Sequence, residues 1–248
     1  MKRTERHQLK ENELAAIIGS AWEALGPRGG QLAVLALVVV VGVAAVVGVL
    51  AWRQRGNVQA EQLLAEAMVA FNAPVVPIGA ESAAPGEVPA AATIGATGSY
   101  STEAAKLNAA LPKLKAAADA YPDTTPGITA RYHYASSLAT LGKHDEAIQA
   151  FDEVVRRAGA ESLYGRMARL GKADTQRRAG QLDAAITTWK ELASASDSQL
   201  PKDAILMELA KTYQSAGKTE EARKTFNQIV DEHPASPYSA EARAALGS

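Results

Sequence analysis

The longest hydrophobic segment of the chain is Leu32–Trp52, which contains 21 consecutive uncharged residues, most of them Leu, Val, Ala or Gly. A helix of about 20 apolar residues is long enough to cross the hydrocarbon core of a bilayer. In lipid a single segment satisfies its backbone hydrogen bonds only as a helix, so the many valines do not argue against one. The apolar run is longer than that of a secretory signal peptide, and Trp52–Arg55 is a poor cleavage site. The segment therefore predicts one uncleaved transmembrane helix.

The first 31 residues form a tail in front of this span. Apolar residues from Leu14 to Leu25, including Trp22, follow the spacing of an amphipathic helix, which Gly26-Pro27 ends. This helix could lie in the headgroup layer of a membrane or pack on a partner subunit. The sequence leaves both interpretations open.

Residues 57–72 have helical apolar spacing, but the 27 residues of Ala73–Ser99 have none and contain four Pro and four Gly. Such a composition is typical of a flexible loop. A loop of this length in a compact domain is usually either disordered or functional. We expect a flexible insert at 73–99 in a helical domain that covers 57–248.

From Tyr100 onward the helical pattern repeats around three glycines, Gly142, Gly180 and Gly217, which are 38 and 37 residues apart. Each glycine is followed after five residues by an alanine and after four more by an aromatic residue. A glycine can turn the chain between two helices, and a small alanine lets the paired helices approach closely. The matched positions are Ala147 and Phe151, Ala185 and Trp189, and Ala222 and Phe226.

These residues resemble the tetratricopeptide repeat, a pair of antiparallel helices of about 34 residues. The third copy fits best, through Leu209, Ala210, Tyr213, Gly217, Ala222, Phe226 and Pro234. The second copy departs at Lys172 and Gln176, where Leu and Tyr are usual, so we expect its first helix to pack loosely or to be exposed. Residues 57–72 and 102–121 form an earlier predicted pair. A final helix that ends at Leu246, with Ser236-Pro237 at its start, is expected to cap the array.

The resulting fold prediction is an all-α protein with an N-terminal transmembrane helix followed by a tetratricopeptide-like helical solenoid. The first helices of such an array line a concave face, where partners bind. The family's groove positions fall here on Tyr132, Ser136, Ala139, Thr140, Met167, Leu170, Asp174, Arg177, Arg178, Met207, Lys211 and Gln214.

Two interpretations of these groove residues remain open. In the first, Tyr132, Leu170 and the methionines give adaptable apolar contact, while Arg177, Arg178 and Lys211 hold a carboxylate or an acidic segment. In the second, Leu170 and Met207 belong to the core and the three cations are a solvated surface.

Charge and composition argue against several classes of function. After the span, 21 Lys and Arg face 23 Asp and Glu, a net charge of −2, which does not suit nucleic-acid binding. There is no cysteine, and none of the four histidines is paired at the i, i+4 spacing of a helical metal site. We therefore expect no catalytic residue, no metal and no cofactor. The alternative is a membrane-bound hydrolase whose site the sequence does not reveal.

The complete layout of tail, Leu-Lys-Glu-Asn-Glu-Leu motif, single span and interrupted repeat domain resembles the YfgM-type ancillary subunits of the SecYEG translocon. This resemblance implies a single-pass protein of the bacterial inner membrane with a cytoplasmic N-terminus and a periplasmic repeat domain. The implied partners are proteins: translocon subunits, periplasmic chaperones or emerging chains. The alternative is a periplasmic scaffold for envelope or cell-division complexes. Charge does not decide the orientation, because Arg28 precedes the span while Arg53 and Arg55 follow it.

Overall fold

A computed structural model of the chain describes residues 29–76, 98–195 and 200–247. The predicted amphipathic tail and most of the predicted insert, residues 77–97, lie outside the described residues. Nine α-helices occur in the described part: α1 Gly29–Phe71, α2 Glu103–Ala120, α3 Thr125–Thr140, α4 His144–Ala158, α5 Leu163–Arg178, α6 Leu182–Ser194, α7 Lys202–Ser215, α8 Thr219–Glu232 and α9 Ser239–Gly247.

The chain divides between Arg55 and Gly56 into two compact units. In the first unit, the described large apolar side chains from Val34 to Val49 are 51–63% exposed. Among the residues that the structure describes, no helix is both long enough and apolar enough to cross a membrane. The side chains at positions 32, 33, 36 and 50–52 lie outside the described part. The transmembrane helix at Leu32–Trp52 therefore stays a prediction.

The second unit contains helix pairs joined by turns at the three spaced glycines. Gly142, Gly180 and Gly217 have positive φ angles of 76°, 75° and 69°, which glycine adopts without steric cost. After the first of them, the N–H of Lys143 donates to the carbonyl of Leu138 at 2.9 Å. The other two turns repeat this hydrogen bond at the same length. Each glycine thus ends one helix in a Schellman motif and reverses the chain.

The alanines and aromatic residues of the repeat lie in the seams between helices, as the spacing predicts. Ala147, Ala185 and Ala222 are 0%, 0% and 2% exposed. The aromatic partners are equally buried in the two main core clusters: Phe151, Trp189 and Phe226.

The predicted earlier helix pair is present within the second unit. Ala67 and Ala70 at the end of α1 pack with Ala110 and Leu114 of α2 in one core cluster. Helix α2 begins after Thr102, whose side chain accepts a hydrogen bond from the N–H of Ala105 at 3.1 Å. This cap satisfies a backbone donor that would otherwise lack a partner at the helix start.

The two ends of the predicted insert are joined by backbone pairing. The N–H of Val76 donates to the carbonyl of Tyr100 at 2.9 Å, and the N–H of Tyr100 donates to the carbonyl of Pro74 at 3.0 Å. Residues 75 and 100 form an isolated parallel bridge. Helix α1 and helix α2 are therefore held together at the base of the insert.

Two details differ from the expectations. Gln176 is only 6% exposed, and its Oε1 accepts a hydrogen bond from Thr188 Oγ1 at 3.0 Å, so α5 packs closely at this position. A buried amide is tolerated when it is hydrogen-bonded. The final helix begins at Ser239, three residues after the expected start, although Ser236 Oγ does accept a hydrogen bond from the N–H of Tyr238 at 3.1 Å, as a cap would, and also donates to Asp203 Oδ2 at 2.7 Å.

Candidate protein-binding surface

The first helices of successive pairs lie beside one another, which creates one continuous surface. Helix α3 contacts α5. Arg177 on α5 lies 3.9 Å from Glu208 on α7, and Lys211 on α7 lies 3.0 Å from Glu241 on α9. We call the solvent side of α3, α5, α7 and α9 the first-helix face.

Aromatic rings occupy one end of this face. The ring of Phe71, at the end of α1, is 4.9 Å from that of His133 on α3, and the His133 ring is 5.6 Å from that of Tyr132. Tyr132 in turn lies 6.0 Å from Tyr164 on α5. These are the separations at which aromatic rings attract each other. We call Phe71, His133, Tyr132 and Tyr164 the aromatic stripe.

The stripe is half-buried, and burial changes the ionisation of two of its members. Burial lowers the pKa of His133, because an imidazolium is poorly solvated there. Burial, with a smaller effect of Tyr164, raises the pKa of the Tyr132 phenol. Both shifts favour the neutral forms, so the stripe carries no charge at neutral pH.

The other end of the face carries charges in alternating order. Asp174 Oδ2 lies 2.7 Å from Arg178 Nε, and Asp174 Oδ1 lies 2.6 Å from Arg177 Nη2. Arg177 also lies 3.9 Å from Glu208, and Glu208 lies 4.0 Å from Lys211. With the Lys211–Glu241 pair, these contacts run across α5, α7 and α9. We call this set the charge ladder: Arg178, Asp174, Arg177, Glu208, Lys211 and Glu241.

The charge ladder has as many carboxylates as cations. Its side chains are 31–56% exposed, so each pair contributes little to stability, from about 0 to 1 kcal/mol. Arg177, Arg178 and Lys211 have carboxylate partners within the chain, and an acidic segment of a partner would exchange with these weak pairs. The interpretation in which these cations bind an acidic segment stays a prediction.

The structure distributes the twelve predicted groove residues over four environments. Tyr132 lies in the aromatic stripe. The charge ladder contains Asp174, Arg177, Arg178 and Lys211. Five residues are exposed or partly exposed on first helices outside both sets, namely Ser136, Ala139, Thr140, Met167 and Gln214, and of these Ala139 also packs against a core cluster. The remaining two, Leu170 and Met207, belong to or pack against the core.

Met207 is a correction to the predicted groove. Its side chain is 0% exposed in the core cluster around Trp189 and Phe226, so a partner has no access to it. Leu170 is partly buried and packs against the same cluster. For these two residues the core interpretation is the one that the structure supports.

Five members of the surface are absent from the predicted groove: Phe71, His133, Tyr164, Glu208 and Glu241. Phe71 ends a helix that is not followed by one of the three spaced glycines. The repeat spacing therefore assigned no groove position to it. Tyr164 lies 16 residues before Gly180, one turn ahead of the predicted groove positions. A search for aromatic residues near the starts and ends of first helices would have found both of them.

Comparisons with known proteins agree with this architecture. Residues 103–162 and 176–246 each match a family model described as tetratricopeptide repeat. No curated protein matches the chain. Among solved structures, the MamA RS-1 ArsTM double mutant is similar at 20% identity and a TM-score of 0.46, covering 57% of this chain and 72% of that one. A thermophilic TPR protein of Thermus thermophilus is similar at 17% identity and a TM-score of 0.44, covering 59% and 79%.

The glycine turns, the buried alanine and aromatic positions and the two matched stretches lead to one assignment: the chain carries tetratricopeptide repeats at residues 103–162 and 176–246, within an all-helical solenoid that forms a protein–protein interaction module.

Proposed function

We propose that this chain is a single-pass protein of the bacterial inner membrane whose repeat module binds polypeptides on the periplasmic side, as an accessory factor of the Sec translocon. The first-helix face is the part of the module that meets the partner. Translocon subunits, periplasmic chaperones or emerging chains are the expected partners.

The observation that carries the membrane tether is the apolar surface around Leu32–Trp52. The five consecutive residues Leu37–Val41 are all exposed, so the helix is uncovered on every side over this stretch. A helix that is apolar all round is stable either within a large core or in lipid. The uncharged run of 21 residues matches the length that lipid requires. A lipid bilayer is the environment that best matches this apolar surface.

The placement of the repeat module outside the cytosol is tested by labelling. The chain has no cysteine, so Ala235→Cys, at an exposed position, gives a single thiol. We expect a membrane-impermeant maleimide to label this variant once the outer membrane is permeable and the inner membrane is intact. A second variant in the tail, Thr4→Cys, should react only after the inner membrane is lysed. The reverse pattern would put the module in the cytosol and remove the periplasmic role.

The partner is tested by affinity purification of the full chain in detergent, followed by mass spectrometry. Enrichment of translocon subunits with periplasmic chaperones supports the proposal. Enrichment of outer-membrane assembly or cell-division proteins without translocon subunits would replace it with the scaffold function. The control is the same purification from membranes that lack the tagged chain, which should recover none of these proteins.

A further inference from the structure

The rings of the aromatic stripe lie at the edge of the core, where Tyr132 and Tyr164 pack against one core cluster and Phe71 against another while all three keep part of their surface in solvent. Leu163, next to Tyr164 at the start of α5, is 63% exposed, which is unusual for a leucine in the repeat unit. The stripe itself is only half-buried and connects α1, α3 and α5 through ring contacts of 4.9, 5.6 and 6.0 Å. An exposed apolar patch bordered by polar residues is typical of a binding site.

The charges beside the stripe are already neutralised. Arg131, on α3, donates to Asp119 at 2.6 Å. Arg169, on α5, lies 3.5 Å from Glu161 and 3.6 Å from Glu191. A charged ligand side chain on the stripe would lose its hydration without gaining a free opposite charge, and this is costly. Charge complementarity therefore favours a ligand segment without net charge.

The extent of the stripe suits an extended polypeptide. Side chains on the same side of an extended chain are two residues apart, which is about 7 Å. This is longer than the 4.9–6.0 Å between neighbouring rings, so a short extended segment reaches more than one ring without matching them one to one. The stripe crosses three helices, so it offers contacts along the segment and not at one point only.

We propose that the aromatic stripe, together with Leu163, binds an extended, uncharged polypeptide segment in which aromatic or alkyl side chains alternate with small or polar ones. This inference deepens the proposed function, on which it rests, by naming the class of segment that the module takes. The charge ladder does not contact the apolar side chains of this ligand. An unfolded chain emerging from a membrane exposes segments of this kind.

The test uses the full chain in lipid nanodiscs, with empty nanodiscs as the blank, and fluorescence anisotropy of labelled peptides. The neutral probe is the nonapeptide Ser-Phe-Gly-Leu-Ser-Phe-Gly-Leu-Ser, and the acidic probe has both leucines replaced by aspartate. We expect the neutral probe to bind at least about tenfold more tightly than the acidic one, because two apolar contacts are lost and two charges are desolvated.

Three variants locate the binding site. Leu163→Ser changes an exposed side chain and leaves the fold intact, and it should weaken binding of the neutral probe by about threefold or more. Tyr164→Ala should weaken it by about tenfold. The matched control on the charge ladder, Arg178→Gln combined with Lys211→Gln, should stay within about twofold.

Two outcomes would overturn the inference. One is tighter binding of the acidic probe than of the neutral one. The other is a loss of affinity in the charge-ladder variant while Leu163→Ser binds as the unchanged chain does. If translocon subunits are still recovered in either case, the proposed function stands and the inference about the stripe alone fails. If the probes bind as expected but no translocon subunit is recovered, the proposed function fails instead.

Discussion

Gly171 shows how a single position limits the packing of two repeats. A Cβ atom at this position of α5 would lie 2.5 Å from the Cζ of Phe151, which is itself 2% exposed and enclosed by α3 and α4. The ring cannot move away without displacing the core. Helix α5 therefore approaches the preceding pair as closely as it does because this residue has no side chain.

We predict that Gly171→Ala lowers the free energy of unfolding by about 1–3 kcal/mol, since overpacking a dense core has this cost. The measurement is a thermal melt of the full chain, followed by circular dichroism. Gly56→Ala is the matched control, because its Cβ would meet no atom within 4 Å and alanine favours a helix by up to about 1 kcal/mol over glycine. Equal melting temperatures for both variants would contradict the packing of α5 on Phe151.

His133 gives the aromatic stripe a dependence on pH. Burial lowers its pKa in the folded chain, so the unfolded chain binds more protons as the pH falls through the ordinary histidine value of about 6.5. Stability should be unaffected by this group above that value and should fall below it, until the lower folded pKa is passed.

The corresponding prediction is that the full chain loses stability between pH 7.5 and pH 5 and that His133→Gln loses less. Urea unfolding at several pH values measures how the free energy of unfolding changes with pH in each chain. The value at pH 7.5 is the reference for each chain. The same slope for both chains would mean that His133 is as well solvated when folded as when unfolded.

At the element scale, the turns and seams were predictable from sequence, while the interaction partners of polar residues were not. Gly142, Gly180 and Gly217 marked the helix pairs because only a positive φ allows the observed turn, and their spacing is visible without a structure. Gln176 was different. A glutamine at an apolar position indicated loose packing, yet Thr188 on α6 satisfies its amide, and a contact between residues on different helices has no local sequence signal.

The seam between α5 and α6 gives a second stability prediction. Ala185 is 0% exposed, whereas the neighbouring Ala184 is exposed. Ala185→Leu should lower the free energy of unfolding by about 1–3 kcal/mol, because the larger side chain overpacks the seam. Ala184→Leu, which makes the same chemical change on the solvent side, should stay within about 0.5 kcal/mol. If Ala184→Leu is the more damaging of the two in a denaturant titration, the assigned helix faces are wrong.

At the scale of the whole molecule, the repeat spacing predicted the solenoid but only part of the candidate surface. The family's groove positions included Tyr132 and four residues of the charge ladder. They missed Phe71 and Tyr164, because Phe71 meets His133 and Tyr164 meets Tyr132 only after three helices have stacked. They also missed Glu208 and Glu241, which pair with Arg177 and Lys211. The chemistry of the face depends on contacts between repeats, and a single repeat does not encode them.

The first-helix face has an apolar end and an end whose charges are paired, and this division fits the proposed binding of varied polypeptide segments. Apolar contacts with rings depend little on the identity of the partner side chain. Neutralised charges on the rest of the face keep it hydrated and discourage strongly charged chains.

The most direct test of this account is site-specific photo-crosslinking of the full chain in growing cells. A benzophenone side chain at Leu163, beside the aromatic stripe, is compared with one at Lys224, which is exposed on α8 away from the first helices. We predict polypeptide adducts from position 163 that Tyr164→Ala strongly reduces, and few from position 224. Equal adducts from both positions, or adducts from position 163 that Tyr164→Ala leaves unchanged, would contradict a partner-binding role for the first-helix face.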